Sequence, residues 1–260
     1  MLSYQHAYHA GNLADVHKHA ALAWVLAYLA AKEKPLSYME THAGRGLYAL
    51  DAPEALKTSE AESGILRLEP YFASDHPYLR AINATRALHG PQAYPGSPLI
   101  AALLLREDDS LTLAELHPQE HKSLSGVFSK HPARIFQRDG LEMAQALCPP
   151  TPRRGLMMID PSYEVKSDYA ALPGFLSAIR RKWNVGILML WYPILQSGLH
   201  LPMCAALREK HPDLLLSETR FPPVREGHRM IGSGLAVINP PWGMVDALAE
   251  IDRLIWNATF

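Results

Sequence analysis

Cysteine is scarce in this chain of 260 residues: Cys148 and Cys204 are the only two. That excludes a disulfide framework and a cysteine-based zinc site, and it suits a reducing cytoplasm. Charge of one sign is lacking as well, since 25 Lys and Arg stand against 26 Asp and Glu. A uniformly basic nucleic-acid coat is therefore excluded, and contact with phosphates must come from a local patch. No apolar run reaches the roughly 20 residues of a bilayer span. The longest, residues 20–31, reads as a buried helix capped by Asn12, with Asp15 as capping-box partner, and stopped by Pro35. A secretory signal is disfavoured, because Lys18 is a weak basic flank and Asp15 and several histidines precede the run. Internal repeats and low-complexity tracts are also missing. What is present is a hydrophobic fraction of 48%, enough for a sizeable core.

The pattern after Pro35 alternates. Residues 36–40, 110–116, 134–137, 155–160, 185–192, 214–220 and 234–239 read as strands. Residues 168–183 and 199–210 read as helices, and Ser97-Pro98 reads as the N-cap and first residue of another over 99–107. Buried strands alternating with helices argue a doubly wound, mostly parallel α/β sheet. The stretch 49–94 shows helical pieces broken by Pro70, Pro77 and Gly90-Pro91 and no strand pattern. It is expected to be a small helical insertion, dividing the chain into a main domain of 1–48 and 95–260 and a subdomain of 49–94.

In such sheets ligands bind beyond the carboxyl ends of the strands, so the residues that follow each strand carry the chemistry. Gly44-Arg45-Gly46 permits close backbone approach to a ligand, but Ala49 breaks the G-x-G-x-x-G fingerprint and no Gly-Lys-Ser/Thr phosphate loop exists. Glu115 ends the second strand, where a carboxylate has two oxygens for the two hydroxyls of a ribose. Asp139-Gly140 can place an acceptor near an adenine amino group, or can be an ordinary turn.

Asp160-Pro161-Ser162-Tyr163 is the sharpest signal. It nearly matches the Asp/Asn-Pro-Pro-aromatic loop of amino-group methyltransferases. An exocyclic adenine amine is a poor nucleophile because its lone pair is delocalised into the ring. The Asp160 carboxylate and the Pro161 carbonyl can both accept from its N–H groups, favouring a pyramidal nitrogen, while Tyr163 stacks on the extruded base. Asn239-Pro240-Pro241-Trp242 matches the loop more literally, but it follows a strand expected to run antiparallel, which would turn it away from the ligand edge. Histidines crowd the N-terminus at His6, His9, His17 and His19 without the spacing of a metal pair, so no metal is expected.

Together these segments resemble the ribosomal RNA large-subunit methyltransferase J family, whose members methylate adenine N6 in 23S rRNA. The resemblance runs from Met1 to about Trp242. It is carried by the opening twelve residues, Met1 to Asn12, and by Thr41-His42-Ala43-Gly44, Tyr94-Pro95-Gly96-Ser97-Pro98, Glu115-Leu116-His117-Pro118, Arg153-Arg154-Gly155 and Ile238-Asn239-Pro240-Pro241-Trp242. It implies a class I S-adenosylmethionine-dependent, Rossmann-like methyltransferase fold with an inserted helical subdomain. It implies that His19, His42, Ser97, Glu115, Asp139 and Gly140 bind S-adenosylmethionine and that Asp160 is both catalytic and in contact with the donor. It also implies that Tyr4, His6 and Lys18 belong to an N-terminal tail that closes over the substrate. Glu40 stands where the family pattern has Asp, and Ser162 where it has a second Pro. Under this resemblance the chain also ends earlier than its relatives.

The expected partner is 23S rRNA, protein-free or in an early assembly intermediate, met by a cytoplasmic monomer with no membrane contact. Arg153-Arg154, Arg180-Arg181-Lys182, and Arg225 with His228 and Arg229 are candidate phosphate contacts only if they lie near the ligand edge. Methylation of DNA, RNA binding without catalysis, and a histidine-based metal hydrolase stay open as alternatives.

Overall fold

The strands with no polar alternation lie at the centre of the sheet. In the computed structural model, which describes residues 5–223, 227 and 229–259, strands β1 (Ser37–Glu40) and β6 (Gly155–Ile159) are buried at every position. Around them stand β4 (Ser110–Ala114), β5 (Ala133–Phe136), β7 (Ile187–Leu195), β8 (Leu215–Arg220) and β9 (Met230–Ile238). The order is β5-β4-β1-β6-β7-β9-β8. Neighbouring strands from β5 to β7 pair in parallel, and β9 runs against both β7 and β8. The chain leaves β1 toward β4 on one side and returns to β6 on the other. The β1/β6 boundary is thus a switch point, where a crevice opens at the carboxyl ends.

Helix α1 (Leu13–Ala30) buries residues all round, from Leu13 to Leu29. This explains why its apolar run shows no helical period. It is wedged between α6 (Ser97–Leu104), α11 (Met244–Thr259) and the insertion. Asn12 caps it as expected, its side chain accepting from Asp15 N–H at 2.9 Å. Asp15 returns the contact to Gly11 N–H, also at 2.9 Å, rather than to the cap itself.

A short antiparallel ribbon of β2 (Leu47–Ala49) and β3 (Ala93–Pro95) brackets the helical stretch α2 (Pro53–Thr58), α3 (Glu60–Ser63), α4 (Ile65–Leu68) and α5 (Pro77–His89). Ile65, Leu68, Tyr78 and Ile82 from this stretch share one apolar cluster with Leu22 and Leu26 of α1. Helices α7 (Pro118–Val127), α8 (Gly140–Leu147), α9 (Asp168–Lys182) and α10 (His200–Lys210) complete the layers.

The structure departs from the sequence reading in several places. The N-cap of α6 is Gly96, and Ser97 is its first residue, with its hydroxyl engaged elsewhere. Strand β7 continues through Pro193 to Leu195. Its last partner in β6 is opposite Leu190, so Pro193 stands where that edge is open and a missing N–H costs no ladder bond. Helix α11 was not expected, although Met244, Leu248, Ile251 and Ile255 form a buried helical stripe. No described helix is long and apolar enough to cross a membrane.

Candidate active site

A cleft of about 600 Å³ opens at the carboxyl ends of the parallel strands. Its lining includes every described residue that the sequence assigned to the donor, the catalysis or the N-terminal tail: His6, Lys18, His19, His42, Ser97, Glu115, Asp139, Gly140, Asp160, Pro161 and Tyr163. Tyr4 lies outside the described residues, as do Arg225 and His228.

Ser97, which lines the cleft, ties it to the end of β1. Glu40 is fully buried. Tyr38 donates its hydroxyl to Glu40 Oε2 at 2.9 Å, and Ser97 donates to the other oxygen. Burial pushes the Glu40 carboxyl up to about 8 despite those two donors, so the group is largely protonated at neutral pH. His42 follows, with Nδ1 2.8 Å from the Thr41 hydroxyl, and burial lowers its pKa.

One wall comes from β4 and the turn after β1. Gly44, at φ +61°, aims its N–H at Glu115 Oε2 (2.8 Å), and His117 N–H donates to Oε1 (2.7 Å). Burial raises the Glu115 pKa. Each of its oxygens keeps a second lone pair for a ligand. Asp139, exposed at the rim, caps α8 by accepting from Glu142 N–H at 2.9 Å. A Cβ on Gly140 would fall 1.7 Å from the Thr41 carbonyl oxygen, so only glycine lets α8 start this close to the end of β1.

The opposite wall carries Asp160, just past β6. Lys18 Nζ reaches Asp160 Oδ2 at 2.6 Å and Asp15 Oδ1 at 3.1 Å, and the Lys18 side chain is 5% exposed. His6 Nε2 lies 2.8 Å from Asp15 Oδ2. Burial opposes the Asp15 charge, yet the His6 ring and the Lys18 ammonium hold its pKa well below the usual carboxylate range. His19 bonds Tyr94 OH through Nδ1 at 2.9 Å, and burial pushes it down to about 3, so it is neutral. Tyr163 adopts φ +55°, donates its hydroxyl to the Trp191 carbonyl (2.7 Å) and packs on Tyr169 with ring centroids 4.5 Å apart. Ser162 between them is exposed.

The sequence reading missed Asp15 as more than a cap partner, whereas Trp191-Tyr192-Pro193 is one of the strand ends at which it expects ligand contacts, and Trp191 does line the cleft. Trp191 lines the cleft below Lys18, whose Nζ stands 5.5 Å from the ring centroid, and its indole N–H donates to Ser233 at 2.9 Å. A carboxylate in the first turns of a helix expected to be buried was the available signal.

Asn239 is remote from the cleft. Its side chain donates to the Val185 and Gly186 carbonyls at the amino end of β7, and its N–H to Asp213. The N-terminal histidines take separate partners: His9 pairs with Glu60, and His17 with Ser233 and Ser217. Arg153, Arg154 and Arg180 also sit at the amino ends of the strands, donating to backbone carbonyls of Lys182, Lys34 and Asn184. They are therefore far from the ligand edge.

A family model described as "Ribosomal RNA large subunit methyltransferase D, RlmJ" matches residues 33–259. The ribosomal RNA large subunit methyltransferase J of Escherichia coli K12 is 39% identical, with 96% of this chain and 91% of that protein covered. The Haemophilus influenzae protein of the same name is 37% identical over 96% and 92%. A crystal structure of the Legionella pneumophila protein LPL1258 superposes with a TM-score of 0.86 at 33% identity, covering 96% of this chain and 94% of that one. A probable spermidine synthase of Corynebacterium glutamicum shares the fold alone, with a TM-score of 0.53 at 11% identity over 90% and 70% of the two chains. The fold is the Rossmann-like one of class I S-adenosylmethionine-dependent methyltransferases, and the chain belongs to the ribosomal RNA large-subunit methyltransferase J family.

Proposed function

We propose that this protein transfers a methyl group from S-adenosylmethionine to N6 of an adenine in 23S rRNA, acting as a monomer on protein-free or early-assembly RNA. In this reading residues 1–48 and 95–260 form the catalytic domain and 49–94 a helical insertion. The observation that carries it is the state of Asp160. Among the described residues its carboxylate takes one hydrogen bond, from Lys18 to Oδ2, and it lines the cleft beside Pro161 at the β1/β6 switch point.

The cleft fits the donor by size and by chemistry. Its volume is that of a small-molecule site. Its carboxylates suit a ligand with a ribose diol, an amino group and a sulfonium charge. When bound, the donor supplies an electrophilic methyl group. Glu115 keeps lone pairs for the two ribose hydroxyls. Asp139 spends Oδ1 on its helix and has Oδ2 for an adenine amino group. His19, His42 and Ser97 line the space near Glu40, and neutral imidazoles there add no charge against a cationic ligand.

Asp160 and the Pro161 carbonyl accept from the two N–H groups of the target amine, which localises its lone pair. The Tyr163 ring, fixed through its hydroxyl, supports the extruded base. His6 and Lys18, both held by Asp15, border the cleft on the side of the N-terminal segment.

The test is radiolabelled methyl transfer to protein-free 23S rRNA, with a DNA copy beside it. Label in N6-methyladenine of the RNA alone, abolished by Asp160→Ala in a protein with an unchanged melting curve, supports the reading. Equal labelling of DNA would replace RNA as the substrate. Full activity in Asp160→Ala would sink the assigned role.

A further inference from the structure

Asp15 is 1% exposed, in the first turns of a helix where Asn12, His17, Lys18 and His19 are also buried before the apolar run begins. Burying a carboxylate there is costly unless it is paired and hydrogen-bonded. The helix start does not require the carboxylate, because Asn12 makes the cap with the backbone N–H of residue 15, a bond open to any residue but proline. The two oxygens of Asp15 instead serve separate partners. Oδ1 holds the Lys18 ammonium, and Oδ2 takes His6 Nε2 and Gly11 N–H. Since Lys18 also reaches Asp160, the order His6–Asp15–Lys18–Asp160 ties the N-terminal segment to the carboxylate at the end of β6.

We infer that Asp15 is a positioning residue for methyl transfer. It shares the Lys18 ammonium with Asp160 and docks His6 at the cleft mouth, so that Asp160 meets the target amine with one oxygen held and the other open. The inference rests on the role given to Asp160 above. Without the Asp15 anion, the ammonium 2.6 Å from Asp160 Oδ2 would lose the counter-charge that shares it, and the target N–H would compete with a stronger Lys18–Asp160 pair for the same carboxylate. His6 would lose its anchor in the same step.

Asp15→Asn tests this, because it keeps the shape and an acceptor for Gly11 while removing the charge. The readouts are initial rates on 23S rRNA, single-turnover rates for the weakest variants, and donor affinity by calorimetry. The expected result is a fall in kcat of about tenfold or more, with donor affinity within about threefold of wild type. In a Lys18→Met background the same substitution costs only what the lost His6 anchor costs, clearly less than its effect in wild type, because the ammonium shared with Asp160 is gone. Asp15→Glu, which keeps the anion, recovers most of the rate lost in Asp15→Asn. An unchanged kcat overturns the inference. So does a full multiplicative loss on top of Lys18→Met, or an Asp15→Glu protein as impaired as Asp15→Asn. Where the Asn variant does not fold, a folded Asp15→Glu protein as inactive as Asp160→Ala overturns it, and one near wild type supports it. Wild-type protein that labels no RNA adenine overturns the function above and this inference with it. Wild-type labelling matched by Asp15→Asn overturns this inference alone.

Discussion

Ser97, the first residue of α6, gives its hydroxyl to Glu40 at the end of β1, and the contact buries a carboxyl between a serine and Tyr38. With a folded pKa of about 8 against an ordinary 4.5, folded Glu40 holds a proton that the unfolded chain releases across that window. The protonated form therefore stabilises the fold fully below pH 4.5, and this contribution is lost as pH rises toward 8. The limiting slope for one group is about 1.4 kcal/mol per pH unit. Glu40→Gln carries no titrating proton. Thermal melts from pH 5 to 8 should show wild type losing stability relative to Glu40→Gln as pH rises. A constant difference across the range would mean Glu40 is ionised in the fold.

Two glycines in helices should respond oppositely to alanine. At Gly140 an added Cβ meets the Thr41 carbonyl at 1.7 Å, a backbone contact that cannot give way without moving α8 or β1. Gly174 of α9 is exposed with nothing within 4 Å. Gly140→Ala is expected to weaken S-adenosylmethionine binding by at least about tenfold and to lower the melting temperature. Gly174→Ala is expected to stabilise by about 0.5–1 kcal/mol with activity unchanged. Calorimetric titration and thermal melts of the two proteins side by side check both.

Tyr163 separates anchoring from stacking. Tyr163→Phe removes the hydrogen bond to the Trp191 carbonyl but keeps the ring. It should cost about 1 kcal/mol of stability and keep most of the methyl-transfer rate. Tyr163→Leu removes the ring and should raise KM for RNA or lower kcat well beyond the Phe variant. Equal losses in the two would assign the residue to loop anchoring alone.

Much of this was legible in residue types and their order. Fully apolar strands, the Asn12 cap and the polar residues following strands placed a cleft and most of its lining. What was not legible depended on contacts between distant segments. Ser97 followed by Pro98 carries the local signature of a helix cap, and only the approach of β1 shows its hydroxyl committed to Glu40. Asp15 likewise has a local role in sequence, and Lys18 is its neighbour one helical turn on, while His6 and Asp160 converge on the pair only through folding. The stripe in α11 was readable by period but lay beyond the motifs that drew attention. The clusters at Arg153-Arg154 and Arg180-Arg181-Lys182 stayed conditional as phosphate contacts because sequence does not show which end of the sheet a loop occupies.

The two Pro-aromatic loops make the same point in a testable form. Asp160 follows β6, which runs with β1, whereas Asn239 follows β9, which runs against β7. Strand direction alone therefore sends two similar segments to opposite ends of the sheet. Asn239 sits at φ +59°, a conformation asparagine tolerates better than most residues, and its amide holds the Val185 and Gly186 carbonyls. Asn239→Ala should cost about 1–3 kcal/mol in denaturant unfolding through lost hydrogen bonds and backbone strain. Its methyl-transfer rate, measured where the protein is fully folded, should match wild type. A folded Asn239→Ala protein with lost transfer and intact Asp160→Ala activity would reverse the two assignments and place the chemistry at the other end of the sheet.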